Sequence, residues 1–170
     1  MAGGVAGVLI TGVYGTGKST LAEEIANILE ARRVAFGALD LDWLGWFGAP
    51  RQSLEERRAV FLRNLAAVAS NYRGAGVMRL VLAGAVRDRE QLMELEAAIG
   101  VPLRVVRLVV SSEEITRRLE SHPTVGRLGD LEVARQWLAD RVGEGIEDRV
   151  AVNDGPIGEV AAEVLDWLGW

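Results

Sequence analysis

A glycine-rich segment near the beginning of the chain contains its single lysine, Lys18. The segment has the pattern G-x-x-x-x-G-K-[ST], in which backbone N–H groups surround phosphate oxygens, the lysine reaches the terminal phosphates and the hydroxyl of Ser19 joins the Mg²⁺ shell. Apart from one histidine, every other basic residue is an arginine. Lysine is therefore kept at a position where a compact, flexible ammonium cannot be replaced by a planar guanidinium. The segment therefore predicts a nucleoside triphosphate site. Its predicted nucleotide-binding residues are Gly12, Val13, Tyr14, Gly15, Thr16, Gly17, Lys18, Ser19 and Thr20.

Two carboxylates, Asp40 and Asp42, follow the second predicted strand. In an extended chain they project to the same side, because side chains alternate with a period of two. They are expected at the carboxyl edge of the sheet, where open α/β sheets bind ligands. Beside a triphosphate, one carboxylate can orient the waters of a metal ion and the other can accept a proton from an attacking hydroxyl. The alternative is a solvent-exposed strand end with Asp42 as the N-cap of a helix.

Three aromatic residues, Trp43, Trp46 and Phe47, come directly after the acidic pair. Two interpretations stay open for them. They form a wall of an acceptor pocket, which would favour an acceptor with an apolar or aromatic body that carries a hydroxyl, or they pack in the core of a short helix. Core or edge packing is predicted for the remaining tryptophans, Trp137, Trp167 and Trp170.

Composition narrows the class of protein. A length of 170 residues predicts one domain, residues 1–170. The net charge of −5 argues against sequence-independent binding to nucleic acid. The absence of cysteine excludes disulfides, thiolate nucleophiles and cysteine metal sites. No apolar run is long enough to span a bilayer. We therefore expect a cytoplasmic monomer or homodimer that does not bind membranes.

Short apolar segments alternate with helical patterns along the chain. The predicted strands are residues 5–11, 34–39, 77–83, 103–110 and 149–152. The predicted helices are residues 18–32, 53–74, 89–99, 111–121, 130–142 and 157–167, with Ser53 and Glu56 forming a capping box. Nearly continuous apolar strands between helices predict a parallel sheet covered on both faces, with right-handed crossovers. The fold class is therefore a three-layer α/β domain.

Taken together, the phosphate loop, the short helix after it and the acidic pair at the end of the second predicted strand resemble the P-loop small-molecule kinases, among them shikimate, gluconate and adenylylsulfate kinases. The resemblance to adenylylsulfate kinase is strongest. It is carried by Asp40-Leu-Asp42, by Arg63-Asn64 on a helix that leads into the glycine-containing segment 73–76, and by Arg87-Asp-Arg89. The resemblance implies a five-stranded sheet of order 2-3-1-4-5 and a short lid at residues 121–130.

On the acceptor side, the resemblance implies Asp42 as the catalytic base or hydroxyl ligand and Asp40 as the carboxylate next to the metal. Arg63 and Arg87 would face the acceptor substrate, with Trp43 beside them.

On the nucleotide side, the resemblance implies that Arg117 or Arg118 covers the adenine. Arg127 would be a mobile lid arginine that steadies the transferring phosphoryl group. Asn153 and Pro156 would border the base pocket.

The chain also departs from these families. The third predicted strand ends Leu-Ala-Gly84 and carries no acidic residue, which argues against a motor or switch ATPase; Asp88 is one candidate substitute for the missing acid. The predicted lid is short, and an aromatic stretch follows Asp42. Both features argue against a sulfate nucleotide as the acceptor.

The main hypothesis is an ATP-dependent kinase that phosphorylates a hydroxyl of a small molecule, with Lys18, Asp42 and Arg127 as catalytic residues. One alternative is a nucleotide-binding regulatory protein with little catalysis. Another is a nucleoside or nucleotide kinase in which Trp43 or Trp46 stacks on a base.

Overall fold

The computed structural model describes residues 5–48, 50–121 and 129–170, with Ser121 described by its backbone alone. Its centre is a sheet of five parallel strands in the order β2-β3-β1-β4-β5, as predicted. The strands are β1 (Ala6–Thr11), β2 (Phe36–Asp40), β3 (Arg79–Ala83), β4 (Leu103–Val109) and β5 (Arg149–Val152). Most of the predicted lid, residues 122–128, lies outside the described residues.

Helices connect the strands and cover the sheet. In the described ranges they are α1 (Lys18–Ala31), α2 (Leu41–Gly45), α3 (Leu54–Gly74), α4 (Arg89–Ile99), α5 (Ser112–Ser121), α6 (Asp130–Ala139) and α7 (Ile157–Leu168). None of the helices in these ranges combines the length and the apolar character that crossing a membrane requires.

Alternate residues of the central strand β1 belong to two separate cores, because successive side chains of a strand point to opposite faces. Val8 and Ile10 are buried against residues of α1 and α7. Leu9 is buried against residues of α3 and α4. The sheet is therefore covered on both faces, which confirms the predicted three-layer architecture.

Two predicted strands, the second and the third, begin two residues too early. Val34 and Val77 were expected at strand starts, but the N–H of Val34 donates to the carbonyl of Leu29 and the N–H of Val77 donates to the carbonyl of Tyr72. Both bonds close the end of the preceding helix, so β2 begins at Phe36 and β3 at Arg79. β-Branched residues favour strands in general, and here the closing turn of a helix uses them instead.

Helix ends follow the capping chemistry of the sequence. Ser53 and Glu56 form the predicted capping box: the Ser53 hydroxyl accepts from the Glu56 N–H at 3.2 Å, and the Glu56 carboxylate accepts from the Ser53 N–H at 2.7 Å. Asp88 caps α4 by accepting from the N–H of Gln91 at 2.9 Å. The helix predicted for residues 130–142 ends earlier, at Ala139, since Arg141 has a φ of 55°.

Candidate active site

The loop between β1 and α1 has the backbone conformation that its glycines predict. Gly12, Gly15 and Gly17 have φ values of 142°, 84° and 94°, in the left-handed region that favours glycine. A Cβ at Gly12 would lie 2.5 Å from the carbonyl oxygen of Leu108, so the loop also needs this glycine for close packing on β4. Gly17 provides no side-chain cap to α1. No cap therefore competes with a phosphate at the positive end of this helix.

Lys18 is the first residue of α1, and its side chain folds back over the loop. Its Nζ donates to the carbonyl oxygen of Val13 at 3.0 Å and lies 5.4 Å from the centroid of the Tyr14 ring. The Thr16 hydroxyl donates to the same carbonyl at 2.9 Å. Lys18 is only 7% exposed. The ammonium is thus held next to the backbone that would surround the phosphates, as the motif predicts.

The acidic pair is joined to the phosphate loop through Ser19. The Ser19 hydroxyl donates to one carboxylate oxygen of Asp40 at 2.7 Å. The other oxygen of Asp40 accepts from the backbone N–H of Asp42 at 2.9 Å. Asp40 therefore connects the first turn of α1 to the first turn of α2.

The prediction that Asp40 and Asp42 lie together on an extended strand is wrong. Asp40 is the N-cap of α2, and Asp42 belongs to the first turn of that helix. The alternative, in which an aspartate caps a helix here, is correct, but the capping residue is Asp40 and not Asp42. An aspartate at a strand end can satisfy a free helical N–H, and this local bond ends the extended conformation. Asp42 consequently projects from a helix that follows the carboxyl end of β2.

α2 rests on the end of β3, where motor and switch ATPases carry an acid. A Cβ at Gly84 would lie 2.8 Å from the Cβ of Leu41. Leu41, the first residue of α2, is buried there. Thr11 fixes the following loop, because its hydroxyl accepts from the N–H of Val86 at 3.1 Å. The absence of a side chain at Gly84 therefore positions the helix that carries Asp42.

Tyr14 links the phosphate loop to α6. Its ring centroid lies 6.1 Å from that of Trp137. Burial raises the pKa of the Tyr14 hydroxyl, and the negative charges of Asp42 and Asp130 raise it further. The guanidinium of Arg87 lies 5.7 Å from the centroid of the Trp137 ring. The loop, α2, α6 and the segment after β3 thus meet around one aromatic pair.

The contact of Trp137 with the phosphate loop was not predicted from the sequence. The prediction that Trp137 packs at the edge of a core is confirmed, since it is half-buried against a small cluster that includes Val13, Ile115 and Ala134. Its contact with Tyr14 is not visible in the sequence, where the two residues are far apart. The available signal is Tyr14 itself, a large aromatic residue in a loop that binds phosphate through its backbone.

Arg118 fixes the phosphate loop to the turn after β5. Its guanidinium donates to the carbonyls of Thr16 and Asn153, each at 3.2 Å, and to the carboxylate of Glu114 at 2.6 Å. The side-chain amide of Asn153 donates to the same Thr16 carbonyl at 2.8 Å. Hydrogen bonds from Arg117 and Arg118 lower the pKa of Glu114 to about 2. Arg118 and Asn153 hold the loop, and their predicted place beside the adenine stays a prediction.

The remaining predicted residues lie in different surroundings. Arg63 on α3 and Arg87 after β3 are both exposed, and the contacts among the described residues do not bring them together. Thr20 is exposed in the first turn of α1, and Pro156 precedes α7. Arg127 lies outside the described residues.

The tryptophans separate into two groups. Trp167 and Trp170 are half-buried against the core, as predicted. Trp43 and Trp46 are 70% and 72% exposed, with ring centroids 5.1 Å apart. Core packing is therefore wrong for Trp43 and Trp46, whereas Phe47 is half-buried. A role of these residues as the wall of an acceptor pocket stays a prediction.

The residues around Ser19 suit Mg²⁺. This ion prefers hard oxygen ligands and is usually held by one or two protein groups together with phosphates and water. The Ser19 hydroxyl and the Asp40 carboxylate, already in contact, are such a pair. In the part of the chain that the structure describes, no cluster of three acidic or histidine residues forms a metal cage. The site thus suits a metal that arrives with a nucleotide.

Solved structures with the same fold include several kinases. A sugar kinase from a Janibacter species has a TM-score of 0.70 and 21% identity, covering 97% of this chain and 95% of that one. The APS kinase of Mycobacterium tuberculosis, solved with AMPPNP and APS, has a TM-score of 0.62 and 22% identity, covering 98% of both chains. The shikimate kinase of Bacteroides thetaiotaomicron has a TM-score of 0.68 and 18% identity, covering 97% and 99%. No protein-family model and no curated protein matches the sequence. The likeness to these structures shows that the chain has the fold of the P-loop small-molecule kinases, as its phosphate loop and acidic pair predict.

Proposed function

We propose that this protein is an ATP-dependent kinase that transfers the γ-phosphoryl group to a hydroxyl of a small molecule. The observation that carries this proposal is the continuous link from Ser19 through Asp40 to Asp42. A site that only binds a nucleotide needs the phosphate loop alone. Asp40 is fixed to that loop, and the exposed carboxylate of Asp42, two residues further along, would supply the base that a transfer to a hydroxyl uses.

The residues divide the transfer between them. The acceptor oxygen attacks the γ-phosphorus, the bond from that phosphorus to the bridging oxygen breaks, and ADP leaves with the bonding electron pair. The hydroxyl proton goes to the carboxylate of Asp42. Lys18 lies against the loop carbonyl of Val13 and would neutralise charge on the terminal phosphates. Positioning and charge neutralisation therefore supply most of the rate.

Mg²⁺ would be held by Ser19 and Asp40, and it would neutralise charge on the phosphates. The nucleotide base would lie near the turn of Asn153 and Pro156. Arg118 would act as a positioning residue, because it holds the loop carbonyl of Thr16.

On the acceptor side, Arg63 and Arg87 would face the substrate, as the family resemblance implies. Arg127 would steady the transferring group. The exposure of Arg63 and Arg87 supports their availability to a ligand.

A screen of hydroxylated small molecules, with coupled detection of ADP, tests this proposal. ATP consumption should rise with one class of acceptor and fall about 100-fold or more in Lys18→Ala. Arg135→Ala, which removes an exposed positive charge on α6, is the control and should match the wild type. An acceptor-dependent rate that survives Lys18→Ala unchanged would contradict the proposal.

A nucleotide-binding regulatory protein is the second candidate, and one observation favours it. β3 is followed by Gly84, so the acid that activates water or metal in many P-loop enzymes is missing. Tight ATP binding without any acceptor-dependent ADP release, across the whole screen, would support this candidate over the kinase.

A further inference from the structure

Trp43 and Trp46 are the two exposed aromatic side chains in the described part of the chain. They lie three residues apart, at 70% and 72% exposure, and their ring planes are inclined by 45°. Trp43 belongs to α2 and Trp46 follows its last residue, and their ring centroids lie 5.1 Å apart, so the two rings form one apolar surface. Aromatic rings of this size are normally covered in a folded protein. A surface of two such rings is a candidate binding site.

The ring surface shares the outer side of α2 with Asp42. Leu41 is buried and Leu44 is half-buried, so these two residues form the inner side of the helix. Asp42 and Trp43 lie between them in sequence and are both exposed. The proposed base therefore stands next to the ring surface.

The segment after the ring surface is held in place by Arg57. Its guanidinium donates to the carbonyl of Phe47 at 3.3 Å and lies 5.4 Å from the centroid of the Phe47 ring. Phe47 follows Trp46 directly, so this contact restrains the end of the surface. A restrained aromatic surface loses little conformational entropy when a ligand covers it.

We propose that the acceptor contains a flat aromatic or apolar ring system with an aliphatic hydroxyl, and that this ring packs against Trp43 and Trp46 while the hydroxyl reaches Asp42. The proposal rests on the proposed kinase function and names its class of substrate. Two exposed tryptophan rings offer about 300 Å², since an aromatic side chain buries about 150–250 Å² in full. A stable protein interface needs about 800 Å² from each partner. The surface is therefore suited to a small molecule.

Matched acceptors and variants test the class of substrate. The acceptors are phenyl-substituted diols, nucleosides, and sugars or sugar acids without an aromatic ring. For the best ring-containing acceptor, kcat/KM should fall about tenfold or more in the double variant Trp43→Ala/Trp46→Ala, mainly through the KM of the acceptor. Trp43→Phe/Trp46→Phe should restore most of the loss. Met93→Ala, which removes an exposed apolar side chain from α4, should match the wild type.

A second measurement does not depend on turnover. Acrylamide quenches the fluorescence of exposed tryptophans, so Trp43 and Trp46 should dominate the quenched signal of the wild type. A phenyl-substituted diol, added with Mg²⁺ and a non-hydrolysable ATP analogue, should lower the quenching constant. The same addition should change little in Trp43→Phe/Trp46→Phe, where the reporting rings are missing.

The outcomes separate this inference from the kinase proposal. Phosphoryl transfer to diols or to nucleosides that falls in the alanine double variant supports the inference. Which of these two acceptors is used shows whether the ring is a phenyl group or a nucleobase. Transfer to sugars alone, unaffected by the alanine double variant, overturns the inference and leaves the kinase intact. Absence of transfer to every acceptor contradicts the kinase proposal. The quenching measurement then tests ligand binding at the ring surface without turnover. A lower quenching constant supports binding there, and an unchanged constant overturns it.

Discussion

In the phosphate loop, polar side chains are buried and held by backbone carbonyls, whereas on α2 two large apolar side chains stand in solvent. Lys18, Thr16 and Asn153 are 7%, 1% and 5% exposed. Trp43 and Trp46 are 70% and 72% exposed. The two regions are only one hydrogen-bonded bridge apart, through Asp40. The comparison teaches that the proposed donor end is organised by the chain's own hydrogen bonds, whereas the proposed acceptor end keeps an uncovered apolar surface.

The largest effect that tests this division is expected at the bridge itself. Asp42→Asn removes the proposed base but keeps the size of the side chain and the backbone N–H that Asp40 accepts from. We expect kcat to fall about 100- to 10,000-fold, the range for loss of a general base, with little change in the Kd of ATP. Rapid-mixing measurement of phosphoryl transfer, with separate titration of ATP, checks this. Full transfer in Asp42→Asn would remove Asp42 from the mechanism.

A substitution at Gly84, which packs against α2, should displace Asp42 while every proposed catalytic side chain is kept. In Gly84→Ala the new methyl group would lie within 3 Å of Leu41, so α2 must move. A displacement of about 1 Å in a reacting group can cost about 100-fold in rate, and we expect a fall of about 10- to 100-fold in kcat/KM for the acceptor.

Gly74→Ala is the matched control for Gly84→Ala. Gly74 is the last residue of α3, and an added Cβ there meets no atom within 4 Å. The control should keep wild-type kinetics, and the ATP affinity of both variants should stay close to that of the wild type. Equal kinetics in the two variants would show that α2 does not depend on its contact with β3.

Replacement of the neighbouring residues Arg117 and Arg118 should affect ATP affinity to different extents. Arg118→Ala removes two bonds to the backbone of Thr16 and Asn153. A charge-assisted hydrogen bond is worth about 1.5–3 kcal/mol to the fold. Because these bonds hold the loop and do not contact ATP, we expect only about 1.4 kcal/mol to be lost from ATP binding, which is about tenfold in affinity. Arg117→Ala removes an exposed side chain whose described partner is Glu114, and it should change ATP affinity less than twofold. Calorimetric titration with ATP and Mg²⁺ measures the ATP affinity of both variants. An equal loss of affinity in the two would show that the bonds from Arg118 to Thr16 and Asn153 do not support ATP binding.

The smallest effect concerns pH and Glu114. Hydrogen bonds from Arg117 and Arg118 lower the pKa of Glu114 to about 2 in the folded protein, against an ordinary value of 4.5. A depressed pKa contributes stability above the unfolded value, and this contribution is lost as the pH falls from about 4.5 toward about 2. Glu114→Gln should therefore be slightly less stable than the wild type at pH 7, with the difference shrinking below pH 4.5. Urea unfolding at several pH values measures it; a difference that grows on acidification would contradict the assignment.

The sequence predicts the donor end well because its geometry depends on backbone requirements. Glycines at 12, 15 and 17 and the following lysine determine the loop locally, and the observed φ values agree. Apolar segments and right-handed crossovers predict the parallel sheet, and its strand order is what the family resemblance implies. These features depend on neighbours in the sequence or on rules that hold for every parallel sheet.

The acceptor end depends on contacts between distant residues, which the sequence alone does not reveal. The pair Asp40 and Asp42 suits an extended strand and a capped helix equally well, and packing of Leu41 on Gly84 accompanies the choice of helix. The same packing turns Trp43 outward. Exposure of a tryptophan contradicts its hydrophobicity, so the sequence left two interpretations open.

The position of Lys18 beside the Tyr14 ring makes the chain a natural reporter of its own ligand. Protein grown with isotope-labelled lysine would give one side-chain signal in a magnetic resonance spectrum, because the chain has a single lysine. The Nζ lies 5.4 Å from the ring centroid, so the ring current shifts that signal according to the geometry of the loop. A library of nucleotides or acceptors can then be compared through one resonance, without a label added to either ligand and without knowledge of the product.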